Sequence, residues 1–286
     1  MEVKAIACEL PAKLGLPLSR LQVPDIRTEV IRRGLVATIS DTTIWRWLTD
    51  DAIRPWTFRS WIFCRDPAFA DKAGRVLDLY SRRHQGRRLR PDEFVISADE
   101  KTRIQARCRC HPTLPPGVAR TMRVEHTYTR GGALDYIAAL DVHRVALFGR
   151  CEEATTIASF DRLVAQVMAT EPYASARRVF WVVDNDSAHR GQRAVDRLRG
   201  QHRNLRLVHV PVHSSWLNQI EIFFSIIQRK VLTPNDFTDL AAVETRLLDF
   251  QRGYERLAKP FEWKFTRADL AKLITRLEGK GLVVAA

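Results

Sequence analysis

Two carboxylates stand out by their setting. Asp184 follows Val179–Val183, an unbroken apolar run of β-branched and aromatic residues, and Asn185 and Asp186 come directly after it. Such a run is the pattern of a strand buried on both faces of a parallel sheet. Ligands of open α/β sheets bind at the carboxyl ends of strands. Glu221 lies in a helix that the pattern starts near Trp216 and that is nearly apolar all round. On a helical wheel Asn218, Ser225 and Gln228 fall within about 60° of it. Apart from Gln219 at the link, the rest through Ile227 is Leu, Ile or Phe. A carboxylate buried there is unfavourable unless it is hydrogen-bonded, paired or holding a metal. A hydrogen-bonded structural glutamate is the plainer reading, and an acidic strand end shortly before it counts against that. A third carboxylate is open among Asp99, Asp135 and Asp141, all on or beside predicted strands, with Glu100 adjoining Asp99. Three converging carboxylates repel one another unless cations neutralise them, and all-oxygen donors select hard ions such as Mg²⁺ or Mn²⁺. Two such ions about 4 Å apart clamp an in-line displacement at phosphorus.

The elements that must position these groups follow from periodicity. Glu93–Ala98 reads as a strand leading into Asp99. Val124–Thr129, Ala133–Asp141 and Val145–Cys151 read as three more, with Gly131-Gly132 as a hairpin turn. Ala154–Thr170 is a long amphipathic helix. The Val179 strand, a helix around Arg190–Arg199, the Leu205–Val210 strand and the Glu221 helix come next. Strands followed by alternating helix and strand fit an α/β, ribonuclease-H-like catalytic domain with a mixed sheet. In that fold the strands at Glu93, Val179 and Leu205 lie side by side, which brings Asp99 and Asp184 together. Helices over Asp239–Leu257 and Arg267–Leu277 form the tail, and FEWKF around Trp263 reads as an apolar clasp onto the core.

These blocks carry a resemblance. VISADEK around Asp99, DNDSAH from Asp184 to His189, and HSSWLNQIEIFFSIIQRK around Glu221 resemble the three acidic blocks of the mariner-like DDE transposase superfamily. Thirty-six residues separate Asp184 from Glu221. The last block is most similar to the bacterial insertion-sequence branch. The resemblance extends from about Arg20 onward, and it selects Asp99 as the first acid. It implies Asp99, Asp184 and Glu221 as catalytic and metal-holding residues, with two Mg²⁺ or Mn²⁺ ions. It further implies DNA cleavage at element ends, strand transfer by the freed 3′-hydroxyl, and a homodimer on double-stranded DNA (terminal inverted repeats and target). His189 is a supporting candidate that orients a phosphate or water, or a surface histidine at a helix start; Asn185 and Asn218 are supporting candidates that donate to phosphate or metal-bound water, or simply cap helices. Asp186 is expected to face solvent.

The formal net charge of +13 favours a polyanionic partner, and nucleic acid first. Residues 1–90 hold 17 Lys/Arg against 10 Asp/Glu, so the first third is the more basic part. Residues 1–54 read as a helix-turn-helix domain: a helix over Glu2–Leu14 ending at Gly15, another over Ile26–Arg33 closed by Gly34, and a third over Thr42–Leu48 capped by Ser40-Asp41. Thr42, Thr43 and Arg46 would face DNA, while Ile44, Trp45 and Leu48 pack inward and Trp47 does either. A helical bundle without DNA contact is the plainer alternative. The resembled family commonly carries two such units, and there is room here for one, as in a short or truncated copy. Residues 55–92 read as a basic linker with one helix, Asp71–Arg83, preceded by RPWTFRSWIF. Its Arg82, Arg83, Arg87, Arg88 and Arg90 can neutralise phosphates, or form a solvated charged face. Residues 93–286 make up the catalytic domain with its C-terminal helices.

No apolar run approaches the roughly 18 residues that span a membrane, and the opening lacks a signal-peptide core. The five cysteines (8, 64, 108, 110, 151) are odd in number and scattered. A reducing, cytoplasmic, bacterial setting is expected. Cys108-x-Cys110-His111 lacks a second ligand pair at zinc spacing and reads as strand and turn. Two other functions compete with the transposase. A transposase-derived repressor would bind DNA without metal-dependent chemistry. A structure-specific nuclease of the same fold would cut without joining and needs no helix-turn-helix.

Overall fold

The computed structural model describes residues 1–58, 66–117 and 120–278. The second half of RPWTFRSWIF therefore lies outside the described residues. The chain divides into two compact units, 1–62 and 63–286.

The first unit holds helices α1 (Glu2–Ala7), α2 (Val23–Arg32) and α3 (Asp41–Asp50). The single helix expected over Glu2–Leu14 is split, because Pro11 opens a separate 3₁₀ turn, Pro11–Leu14. Gly15 and Gly34 turn with φ of 72° and 68°, which only glycine adopts without strain. Ser40 caps α3 by accepting from the Thr43 amide at 3.1 Å. Ile6, Leu21, Ile26, Val30, Ile44 and Leu48 form the core. Trp45 does not join them: it is 52% exposed. It lies one residue, about 100° round the helix, from the buried Ile44.

The second unit is built on a five-stranded sheet. Its strands are β3 (Glu93–Cys108), β4 (Thr129–Asp141), β5 (Leu147–Glu152), β6 (Arg178–Val183) and β7 (Leu205–His209), in the order β5-β4-β3-β6-β7. β3, β4 and β5 are antiparallel neighbours, and β6 and β7 run parallel to β3. This is the ribonuclease-H-like arrangement, with β3 and β6 adjacent at its centre. Helices α5 (Ile157–Met168) and α6 (Gly191–Gln201) cover one face through Phe160, Leu163 and Leu198 against Trp181 and Val183. On the other face α7 (Ile220–Lys230) and α8 (Leu240–Leu257) pack on Tyr136, Ala138 and Leu140. Helices α4 (Phe69–Tyr80) and α9 (Arg267–Glu278) pack there on Val95, Phe180 and Val182. Trp263 joins that cluster, its ring 5.3 Å from Tyr80, as the clasp predicts. Among the described residues no helix is long and apolar enough to cross a membrane.

Three expectations change. Residues 66–92 are not a linker. Phe69, Ala73, Val76, Leu77 and Leu89 are core residues of the second unit, and Asp66 fastens the start of this segment by accepting from the Val212 amide at 3.0 Å. The basic run folds as a hairpin of β1 (Arg83–His84) and β2 (Arg87–Arg88). Gly131-Gly132 is not a hairpin turn, and Val124–Thr129 is not a separate strand; only Thr129 belongs to one. The two glycines lie inside β4, where the register slips between Gln105 and Arg107. This is a bulge, with Gly132 at φ 98° and a Cβ on Gly131 bound to meet Ala106 and Cys108 at 3.3 and 3.2 Å.

Candidate active site

Asp99 lies on the central strand β3 with its side chain on the face that α7 covers. Residues two apart share a face of a strand, so Ser97 stands beside it. The Ser97 hydroxyl donates to Asn218 Oδ1 and accepts from the Ile220 amide at 2.9 Å. Asn218 Nδ2 donates to the Ala98 carbonyl at 2.8 Å and to Asp99 Oδ2 at 3.1 Å. Tyr80 donates to the Leu217 carbonyl at 2.8 Å and accepts from the Gln219 amide at 3.3 Å. The segment entering α7 is thus fixed to β3 and α4 by buried hydrogen bonds, which sets where Glu221, in the first turn of α7, projects.

Asp184 stands at the end of β6, directly beyond Val183. Its Oδ1 accepts from the Asp186 amide at 2.8 Å and from His189 Nε2 at 2.7 Å. His189 is fully buried, with its ring against Phe160 at 4.7 Å. It lies inside the core, not on the surface. Its carbonyl accepts from His209 Nε2 at 2.8 Å, which ties the Asp184 loop to β7. Asn185 donates to the Val210 carbonyl at 2.9 Å and so joins the ends of β6 and β7. Asp186 is half-buried, and its Oδ1 accepts from the Ala188 amide at 2.9 Å. Its charge reaches Glu100, so it does not simply face solvent.

The electrostatics join these groups. Burial pushes Asp99 up to about 7, helped by the charges of Asp184 and Glu221. Burial likewise pushes Glu100 up to about 8, with Asp99, Asp186 and Asp184 acting in the same direction. One buried Glu100 oxygen, Oε2, has no hydrogen-bond partner. Glu221 is raised by burial and by Asp184, and Lys101 opposes this. At Asp184 burial works upward, but the His189 hydrogen bond, the Asp186 amide and the two histidine charges hold its carboxyl below the usual range.

The alternatives for the first acid separate cleanly. Asp135 accepts from the Arg103 amide at 2.7 Å, the Thr155 amide at 2.7 Å and the Thr155 hydroxyl at 2.9 Å. Asp141 accepts from the His143 and Arg144 amides and from Tyr173 Oη at 2.9 Å. Both are consumed by local structure. Asp99 is the one on which the charges of Asp184 and Glu221 are seen to act. Ser97, Tyr80 and His209 were not singled out from the sequence. Only the two-residue spacing of Ser97 from Asp99 hinted at any of them.

Residues 95–244, just over half of the chain, match the family described as DDE superfamily endonuclease. The chain belongs to the DDE endonuclease superfamily. Solved structures of the Mos1 mariner transposase share its fold. Its paired-end complex with Mn superposes with a TM-score of 0.53 at 15% identity, covering 95% of this chain and 76% of that one. The paired-end complex with Mg gives 0.52 at 14% identity, with 97% and 76% covered. The pre-cleavage transpososome gives 0.52 at 15%, with the same coverage. No curated protein matches the chain. The span matched to the DDE family contains the elements that bear Asp99, Asp184 and Glu221.

The donor set around Asp99 fits a hard divalent cation. It is all oxygen, its members raise one another's proton affinity, and Glu100 offers an orphaned acceptor beside them. Among the described residues no three His, Cys, Asp or Glu side chains close around one point. Glu221 is exposed, so its side chain can turn toward the other two. Beside Asp184 lies a cleft of about 440 Å³, lined in part by Arg190, His213, Ser214 and Ser215. Cys108 ends β3 and donates to the Thr238 carbonyl at 2.7 Å, and His111 pairs with Glu125 at 2.9 Å.

Proposed function

We propose that this protein is a DDE transposase of a bacterial insertion sequence. It cuts DNA at the element's ends and joins the freed ends to target DNA, with Asp99, Asp184 and Glu221 as its catalytic carboxylates. The observation that carries this reading is electrostatic reach: the charges of Asp184, at the end of the adjacent strand, and of Glu221, in the first turn of α7, both act on Asp99 of the central strand. Burial raises Asp99 and Glu221, and the neighbouring carboxylates add to it. Mos1, which has the same fold, was solved as paired-end complexes with Mn and with Mg. This supports Mg²⁺ or Mn²⁺ here, two ions in the reading favoured by the carboxylate count. When bound, such ions supply Lewis-acid stabilisation of the attacking and leaving oxygens at phosphorus.

The chain's own residues do the positioning. Asn218 holds one Asp99 oxygen, and the Glu100 amide, 2.9 Å away, holds the other. His189 fixes Asp184 from within the core, so the carboxylate does not rotate away from its neighbours. Glu221 approaches from a helix start anchored by Ser97 and Tyr80. The cleft beside Asp184 takes the scissile phosphate, with Arg190 at its rim. Thr42 and Arg46, exposed on α3, and Thr43 beside them would read the element's ends. Arg82, Arg83, Arg87, Arg88 and Arg90 would hold the backbone. The partners are double-stranded DNA, as terminal inverted repeats and as target, and a second copy of the chain on that DNA. A bacterial cytoplasm is the setting this implies.

The test is cleavage of supercoiled plasmid carrying the element's ends, with Mg²⁺ or Mn²⁺, by the wild type and by Asp184→Asn. Metal-dependent cutting that the variant lacks, followed by strand transfer, supports the proposal. Equal cutting by both removes the assigned site. DNA binding without cutting by either favours a transposase-derived repressor.

A further inference from the structure

A second hollow, unused by this chemistry, runs along the edge strand β7. It encloses about 620 Å³ between α4, the β1–β2 hairpin and strands β6 and β7, and Arg75, Arg178 and Arg206 line it. A smaller hollow of about 350 Å³ shares His84, Gln85 and Arg178 with it and adds Arg87, Arg88 and Arg177. Among the described residues two acids line the pair, and neither is free. Asp78 accepts from Arg267 at 2.9 and 2.6 Å, and Glu93 lies 3.4 Å from Arg178 and 3.9 Å from Arg177. Lys72 is taken by Asp66 at 2.8 Å. Arg75, Arg87, Arg88 and Arg206 have no carboxylate partner among the described residues. The Arg206 guanidinium donates only to the Arg203 and Leu205 carbonyls, at 2.7 and 2.6 Å.

Positive charges gathered without counter-charge destabilise the fold that holds them. Burial, Arg199 and Arg178 lower Arg206, and burial and Arg178 lower His84 against the opposing charges of Glu93 and Asp78. An anion in the hollow would relieve both. Guanidinium forks suit phosphate oxygens, which they can grip in pairs. The position is specific as well. Arg178, Phe180, Val182 and Asp184 alternate onto one face of β6, with Arg178 opening the strand and Asp184 ending it. Six residues of strand put them about 20 Å apart. The hollow also reaches His209, and Val210, next in sequence, lines the cleft at Asp184.

We propose that this edge-strand hollow is a second DNA subsite. It grips the sugar–phosphate backbone of duplex DNA about six nucleotides from the phosphate at Asp184, at 3.4 Å per nucleotide along one strand. The inference rests on the reading that the protein acts on DNA.

The experiment measures binding of a fluorescent duplex to the full-length chain by anisotropy, without divalent metal, across a salt series. Arg75→Gln combined with Arg206→Gln should reduce the slope of log affinity against log salt by about 1.8, the loss of two phosphate contacts. Arg75→Lys with Arg206→Lys should keep the wild-type slope. If the Gln pair melts early, Arg75→Gln alone decides. That side chain is exposed and unpartnered, and the expected loss is about 0.9. A wild-type slope in the Gln variants overturns the subsite and leaves the transposase reading standing. No salt-dependent binding by the wild type overturns both.

Discussion

The two ends of β6 make opposite arrangements from the same strand. At its carboxyl end the charge of Asp184 acts on Asp99 and Glu221, and at its amino end that of Arg178 acts on Arg206. Neither cluster is neutralised by the protein itself. The acidic end is partly relieved by design: His189 bonds Asp184, and Asn218 and two amides bond Asp99 and Asp184. The basic end has only carbonyls and two shared acids. The difference is one of tolerance. A carboxylate in low dielectric can take a proton instead of a charge, as the raised Asp99 and Glu100 do, whereas a guanidinium cannot shed its proton. The acidic end can therefore answer burial and repulsion by taking up protons. The basic end has no such outlet, and Arg87 and Arg88 stay exposed there.

The largest expected effect breaks the acidic end. Asp184→Asn keeps the shape and removes the charge. Metal-assisted stabilisation amounts to several kcal/mol, so plasmid cleavage should fall on the order of 10³-fold, with DNA binding retained. Cleavage within tenfold of wild type would mean that the clustering is structural. Next comes Asn218→Ala. It leaves the Ser97 hydroxyl, the Ala98 carbonyl and one Asp99 oxygen short of partners in a fully buried site. A stability loss of about 2–3 kcal/mol is expected, read as a shift in the denaturation midpoint. A change under about 0.5 kcal/mol would show that the α7 entry is held some other way.

The pH dependence sharpens the contrast. Asp99 at about 7 and Glu100 at about 8 lie above the unfolded values of about 3.9 and 4.3. Between about pH 4 and pH 8 the folded chain thus holds protons that the unfolded chain has lost, and this contribution makes stability fall as pH rises. His84, His143 and His209 are lowered by burial and act in the other sense around pH 6. The difference between wild type and Asp99→Asn isolates the carboxylate. The variant should gain on the wild type in Tm as pH rises from 5 to 8, by about 2–4 °C per kcal/mol of repulsion relieved. Saturating Mg²⁺ should raise the wild-type Tm and close the gap. A constant difference across pH would place Asp99 in an ordinary ionised state. The smallest effect concerns the exposed hairpin. Arg87→Gln with Arg88→Gln should lower the salt slope of duplex binding by about 1.8 or less and leave Tm within about 1 °C, since neither side chain is buried. An unchanged slope would assign these two to solvent.

Most of the fold follows from local pattern. The apolar run Val179–Val183 can only be a central strand, and the Glu221 helix is too apolar to lie at a surface. Periodicities of 2 and 3.6 carry that information within single segments. Errors came where a long-range partner overrides a local signal. Gly131-Gly132 has turn chemistry, but β3 continues beside it, and pairing turns the glycines into a bulge. Arg82–Arg90 has linker composition, but Leu89 and α4 bury against β6 and draw the run into the catalytic unit. Asp99, Asp135 and Asp141 are equivalent by pattern, and family resemblance alone preferred the first. Sequence by itself determined which segments are strands and helices and which carboxylates stand at their ends, because those depend on neighbours a few residues away. Only the tertiary structure decided that Asp135 and Asp141 are spent on backbone amides, that His189 lies in the core, and that arginines from α4, β6 and β7 share one hollow. Each of those depends on groups far apart in the chain, whose distances no spacing encodes.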